Sequence, residues 1–167
     1  RVEAAKLRVR GADLGYPAAA DFALRQDLGR SRLDIDKCAL KLDRTPLDIT
    51  GAVDFAPTPA RVDIRVVAGD ASITELSRLM GSFGIAFSPG MDITGRIAAD
   101  VRATGPSSKP ALNGRLAVRN LRIAGKSLPT ETTVDALQLT LTPGTITSAP
   151  FPAVAGPTRL AVRGTVS

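Results

Sequence analysis

The chain has 167 residues, enough for one domain with a substantial core or at most two small lobes. Its 22 Lys+Arg and 16 Asp+Glu leave a formal charge of +6, but basic residues such as Arg8, Arg10, Arg61, Arg65, Arg96 and Arg102 are interspersed with acidic and apolar ones, and no Trp and one Tyr offer little for base stacking, so nucleic acid is not an expected partner. The absence of His removes the Ser-His-Asp and Cys-His constellations and most zinc and iron sites together.

From the N-terminus onward the dominant period is two. In the first 44 residues the rhythm is strand-like; Leu33 and Ile35 alternate with Asp34 and Asp36, which then share a solvated polar face. Cys38 falls in phase with Leu40 and Leu42 and reads as a small buried hydrophobe, with only Lys37 beside it to activate a thiol. Leu47, Ile49, Val53 and Phe55 form the next apolar set, a turn follows at Ala56-Pro57-Thr58-Pro59, and Val62, Ile64 and Val66 resume the alternation. The period then changes. Ile73, Leu76, Leu79 and Met80 lie at helical spacing behind a capping box at Ser72-Ile73-Thr74-Glu75, which predicts one helix over 72–80, stopped by Gly81 and Gly84. Its apolar stripe is expected to pack on the core or lie over a sheet.

Alternation returns with Met91, Ile93, Ile97, Ala99 and Val101 and halts at the turn Gly105-Pro106-Ser107-Ser108-Lys109-Pro110. Leu116 and Val118, then Leu137, Leu139 and Leu141, then Leu160, Val162 and Val166 continue it, separated by Gly125 to Pro129 and Pro150-Phe151-Pro152. The phase slips by one residue at Ile35–Cys38, Val118–Leu121 and Val134–Leu137, and each slip within a continuous strand requires a bulge if one face is to stay apolar, the alternative being a tight turn. Asp48-Ile49-Thr50-Gly51 recurs as Asp92-Ile93-Thr94-Gly95, and Gly114 and Gly164 also interrupt alternating stretches, which marks bulges or bends that curve a sheet. The expected fold is all-β: a curved, mainly antiparallel sheet, either a β-groove or a half-open sandwich or barrel, with the one short helix. It is read as a single domain over 1–167 with a weak subdivision near 82–90.

No residue constellation carries chemistry. Asp34 and Asp36 have no partner that would poise one as acid and the other as base, and Ser107, Ser108 and Lys109 sit in a proline-flanked turn with nothing to orient a nucleophile. P-loop, G-x-G-x-x-G, G-x-S-x-G and EF-hand patterns do not occur. The expectation is a protein that is not an enzyme and has no catalytic, cofactor or metal residues.

The second half carries text of a particular cadence: Asp92-Ile93-Thr94-Gly95-Arg96-Ile97, the Gly105–Pro110 turn, and Asn113-Gly114-Arg115-Leu116-Ala117-Val118-Arg119-Asn120-Leu121-Arg122-Ile123. With Leu139-Thr140-Leu141-Thr142-Pro143-Gly144 and the closing Gly156 to Gly164, this resembles the AsmA family of AsmA/TamB-like periplasmic β-groove proteins over about residues 45–167, the first 44 matching in strand rhythm alone. The resemblance implies a periplasmic piece of a longer protein anchored to the inner membrane by a segment outside this sequence. It also implies a part in outer-membrane and envelope biogenesis and lipid transport, with phospholipid and other envelope proteins as partners. No apolar run of about 18 residues is present, so the residues themselves read as soluble. Under this reading Ile93, Ile97, Leu116, Val118, Leu137, Leu139, Leu141, Leu160 and Val162 are candidates to line a groove that holds or conducts acyl chains. The alternative is a structural or protein-interaction β-module in which the same residues meet in a dry core.

Overall fold

A computed structural model describes residues 2–4, 8–9, 12–13, 18–42, 45–82, 90–126 and 128–166. Its elements are β1 Val2–Ala4, β2 Arg8–Val9, β3 Ala12–Asp13, β4 Ala18–Asp27, β5 Arg32–Leu42, β6 Thr45–Asp54, β7 Arg61–Ser72, α1 Ile73–Ser82, β8 Met91–Pro106, β9 Ala111–Gly125, β10 Thr132–Thr142, β11 Thr145–Ser148, β12 Phe151–Ala155, β13 Thr158–Val162 and β14 Thr165–Val166. Twelve strands form one curved antiparallel sheet that does not close into a barrel, in the order β1-β4-β5-β6-β7-β8-β9-β10-β11-β14, with β12 also pairing β10 and carrying β13. β2 and β3 pair separately. The predicted all-β architecture with a single helix is what the described residues adopt. The weak subdivision expected near 82–90 falls largely on residues outside those described, and the sheet runs unbroken from β7 to β8.

Register converts the alternation into two chemically distinct faces. One row of partners crosses nine strands as Phe22, Cys38, Ile49, Val66, Val101, Gly114, Leu141, Ile146 and Val166. A parallel row runs Leu24, Ile35, Gly51, Ile64, Ala103, Leu112. No residue that the register places on this face is charged, because side chains two apart share a face and the charged residues occupy the intervening positions.

The bulges preserve that segregation. Two of the three predicted phase slips are real bulges: the register of β5 shifts between Ile35 and Cys38, and that of β9 shifts across Asn120 and Leu121, opposite Gly95, with Asn120 at φ 50°. Each copy of the Asp-Ile-Thr-Gly repeat therefore puts its glycine beside a bulge in the adjacent strand, Gly51 against Ile35 and Gly95 against Asn120-Leu121. The third slip is not a separate bulge: from Thr132 to Leu141 β10 keeps one constant register with β9, so Val134–Leu137 simply follows the step already made at Val118–Leu121. A further bulge at Ala68–Ala71 in β7 has no counterpart in the expectations; it keeps Ala71 on the apolar face, opposite Ile97. Gly164 lies between β13 and β14 rather than within a strand.

On the charged face, strands are stitched diagonally. Arg65 and Arg102 stand directly opposite each other, a repulsive arrangement if left alone. Each reaches past the other instead: Arg65 donates two hydrogen bonds to Asp100 at 2.7 and 2.6 Å, and Arg102 donates two to Asp63 at 2.7 Å. Arg25 with Asp36 and Arg96 with Asp70 repeat the bidentate geometry, so all four aspartates reach an arginine of the neighbouring strand and two of them, Asp36 and Asp70, sit at bulges. These hydrogen bonds hold the carboxyls of Asp36, Asp63, Asp70 and Asp100 below their ordinary range. A depressed folded-state value means the stabilisation is complete above the unfolded value and is lost as pH falls through the folded one. Urea unfolding followed from pH 7 downward is thus expected to show a plateau that breaks below about pH 4, the unfolded aspartate range; stability that rose on acidification through that window would contradict the ladder.

Candidate functional site

A half-buried antiparallel sheet normally hides its apolar face beneath a second layer. Here the cover is local. α1 lies over the end of β5–β8 nearest residue 45, where Leu47, Ala68 and Ala71 form a buried cluster with Leu40, Leu76, Ile97 and Ala99 packed against it. The helix begins at the predicted capping box: the Ser72 hydroxyl accepts from the Glu75 backbone N–H at 3.4 Å, and Ile73 is buried. Thr45, the one fully buried large polar side chain among the described residues, ties this start to β6 by accepting a hydrogen bond from the Ser72 N–H at 3.0 Å and donating its hydroxyl to the Glu75 carboxylate. The helix runs from Ile73 to Ser82, two residues beyond the predicted end, with Ser72 outside it as the cap.

Among the described residues the apolar face away from α1 is exposed in part, with Val118, Val134, Leu141 and Ala153 buried within it. Phe22 and Leu24 on β4 are 45% and 47% exposed, Leu112 on β9 is 40%, Ile146 on β11 is 41% and Leu160 on β13 is 48%. Every one of these lies on the uncharged face by register. Of the nine predicted groove residues, the sheet brings all onto this one face. Val118 and Leu141 are buried, Ile97 packs against the cluster beneath α1, Ile93, Leu116, Leu137, Leu139 and Val162 are half-buried, and Leu160 is exposed. The face extends well beyond them: Phe22, Leu24, Leu33, Ile35, Ile49, Val62, Ile64 and Val66 continue it through β4–β7. Alternation marked those positions in the sequence as plainly as it marked Leu137 to Leu141; what singled out the second half was the resemblance, whose text begins near residue 45 and is densest after 91.

A shallow depression of about 580 Å³ crosses β7–β10, and its lining mixes Ala99, Leu116 and Leu139 with Asp100, Arg115, Gln138 and Thr140. It gathers no group of three or more metal-ligating side chains, and no such group occurs among the described residues. Asp34 pairs with Arg32 of its own strand at 2.8 Å and Asp36 with Arg25 of β4 at 2.7 Å, so both carboxylates are engaged in ion pairs; Cys38 is half-buried on the apolar face. Ser107 and Ser108 are exposed in the turn between β8 and β9. No helix among the described residues is long and apolar enough to cross a membrane.

What this geometry can do chemically is offer an uncharged, partly exposed hydrocarbon surface backed by a face of ion pairs. No family model matches the chain, and no curated protein or solved structure matches it significantly.

Proposed function

We propose that the chain is a non-enzymatic groove segment of an AsmA-like envelope protein, in which the open face of the sheet holds or conducts phospholipid acyl chains. The observation that carries this reading is the row of exposed large apolar side chains on the uncharged face, Phe22 and Leu24 on β4, Leu112 on β9, Ile146 on β11 and Leu160 on β13, between which Val118, Val134, Leu141 and Ala153 are buried. Contiguous exposed apolar surface of this kind marks a binding surface, because leaving a large aliphatic side chain in water forgoes about 1.5–3 kcal/mol. Flexible hydrocarbon fits a surface with no charge and no fixed hydrogen-bonding pattern on it. In the same reading the parent protein is periplasmic, anchored to the inner membrane through a segment outside this sequence, and works in outer-membrane biogenesis.

The test uses neighbouring residues on β10. Leu139 is half-buried on the uncharged face and Gln138 is exposed on the other. A photo-crosslinking residue at Leu139 of the parent protein in cells is expected to capture phospholipid, and one at Gln138 is not. Equal capture at both positions, or capture at neither in folded protein, would remove the groove and leave a structural spacer.

A further inference from the structure

The covered part of the apolar face is confined to one end of β5–β8, and this restricts where a bound chain can lie. Resting on the acyl-chain reading above, we infer that α1 is a fixed wall that excludes lipid from the Leu47–Ala68–Ala71 patch and diverts acyl chains to the opposite side of the face, over Ile64, Val101 and Leu112.

Three observations point the same way. The residues under the helix are closed to any ligand: Leu47 is 6% exposed, Ala68 3% and Ala71 0%. The helix is held at its start from two strands at once, by the Ser72 cap at the end of β7 and by the Thr45 hydroxyl of β6, which bridges the Ser72 N–H and the Glu75 carboxylate from a fully buried position. Such a bridge favours a wall over a lid, since lifting the helix would strip a buried hydroxyl of both partners. The rows nearer the β6–β7 and β8–β9 turns carry no such cover, and Ile64, Ala103 and Leu112 there are directly paired across β7, β8 and β9. Among the described residues, that row is the lane left to a hydrocarbon chain crossing β6–β8 on this face.

The experiment needs no substitution in its first arm. The chain is incubated with vesicles of phosphatidylethanolamine and phosphatidylglycerol in which a fraction of the phosphatidylethanolamine carries a diazirine on its acyl chain, irradiated, and digested for peptide mapping by mass spectrometry. Label is expected on Ile64, Val101, Leu112 and Leu139 and at least tenfold less on Leu47 and Ala68. Equal labelling of the two sets overturns the wall while leaving the acyl-chain reading standing; no label on any of these residues overturns both. In a second arm Thr45→Val, checked by circular dichroism to retain its sheet, is expected to extend labelling to Leu47 and Ala68. Unchanged protection in that folded variant would show that the Thr45 bridge does not hold the wall in place, and would overturn that part of the inference.

Discussion

Gly114→Ala is expected to unfold the domain or to cost at least about 4 kcal/mol, in the range reached only by severe backbone or core defects. A Cβ at this position would stand 2.1 Å from the Asp100 carbonyl oxygen and 2.8 Å from the Val101 Cα on the neighbouring strand, and the backbone is at φ +148°, where L side chains rarely sit. Both problems are backbone against backbone, so no side-chain rotation relieves them. Gly51 repeats the situation one sheet segment earlier, with the Asp63 carbonyl oxygen 2.0 Å from its would-be Cβ, and Gly51→Ala is expected to match it. Gly69→Ala is the control: nothing lies within 4 Å of its would-be Cβ. That variant is expected to change stability by no more than about 0.5–1 kcal/mol. Urea midpoints for the three variants read the contrast. A Gly114→Ala protein as stable as Gly69→Ala would show that these strands are not packed at the described separation.

Thr45→Val is expected to cost about 2–3 kcal/mol, although it exchanges side chains of nearly equal volume, because it removes the hydroxyl from a buried site and strips two neighbours of a partner. Thr45 is 0% exposed, its Oγ1 accepts from the Ser72 N–H at 3.0 Å, and it donates to the Glu75 carboxylate. Thr45→Ser retains the hydroxyl and loses one methyl group, so it is expected to cost about 1 kcal/mol. The order Val worse than Ser is the diagnostic. Thermal unfolding of the pair measures it, and a Val variant at or above the Ser variant would mean that packing at this site outweighs the hydrogen bonds.

Much of this architecture was legible from period and punctuation. Leu137, Leu139 and Leu141 alternate with Gln138, Thr140 and Thr142, and the register confirms the face that each set occupies. The capping box at Ser72–Glu75 located the helix because it depends on residues three apart, which sequence displays directly. The Ile35–Cys38 and Val118–Leu121 slips are legible in the sequence as changes of phase, and it is the register that decides for bulges over tight turns. At Val134–Leu137 the phase changes with no register shift against β9, because the neighbouring strand makes the same step, which the sequence of one strand does not reveal. The Ala68–Ala71 bulge escaped because Ala68, Gly69 and Ala71 are too small to impose a visible phase. Gly114 looked like a bend, whereas it permits a close strand-to-strand approach, a property of the neighbour's backbone that its own sequence cannot carry. The extent of cover was likewise out of reach, since alternation states that a face is apolar and says nothing of what lies upon it. Only the tertiary placement of α1 separates the closed Leu47 patch from the open surface around Leu112 and Leu160.

On the proposed reading, hydrocarbon occupies the exposed part of the uncharged face. Solvent extraction of the purified protein followed by quantitative mass spectrometry of co-purified lipid tests this. Phospholipids of mixed headgroup at one or more molecules per chain are the predicted result, because among the described residues the face carries no charged side chain with which to select a headgroup. A protein that is folded by circular dichroism and yields no phospholipid above the level of a control protein purified in parallel would contradict it.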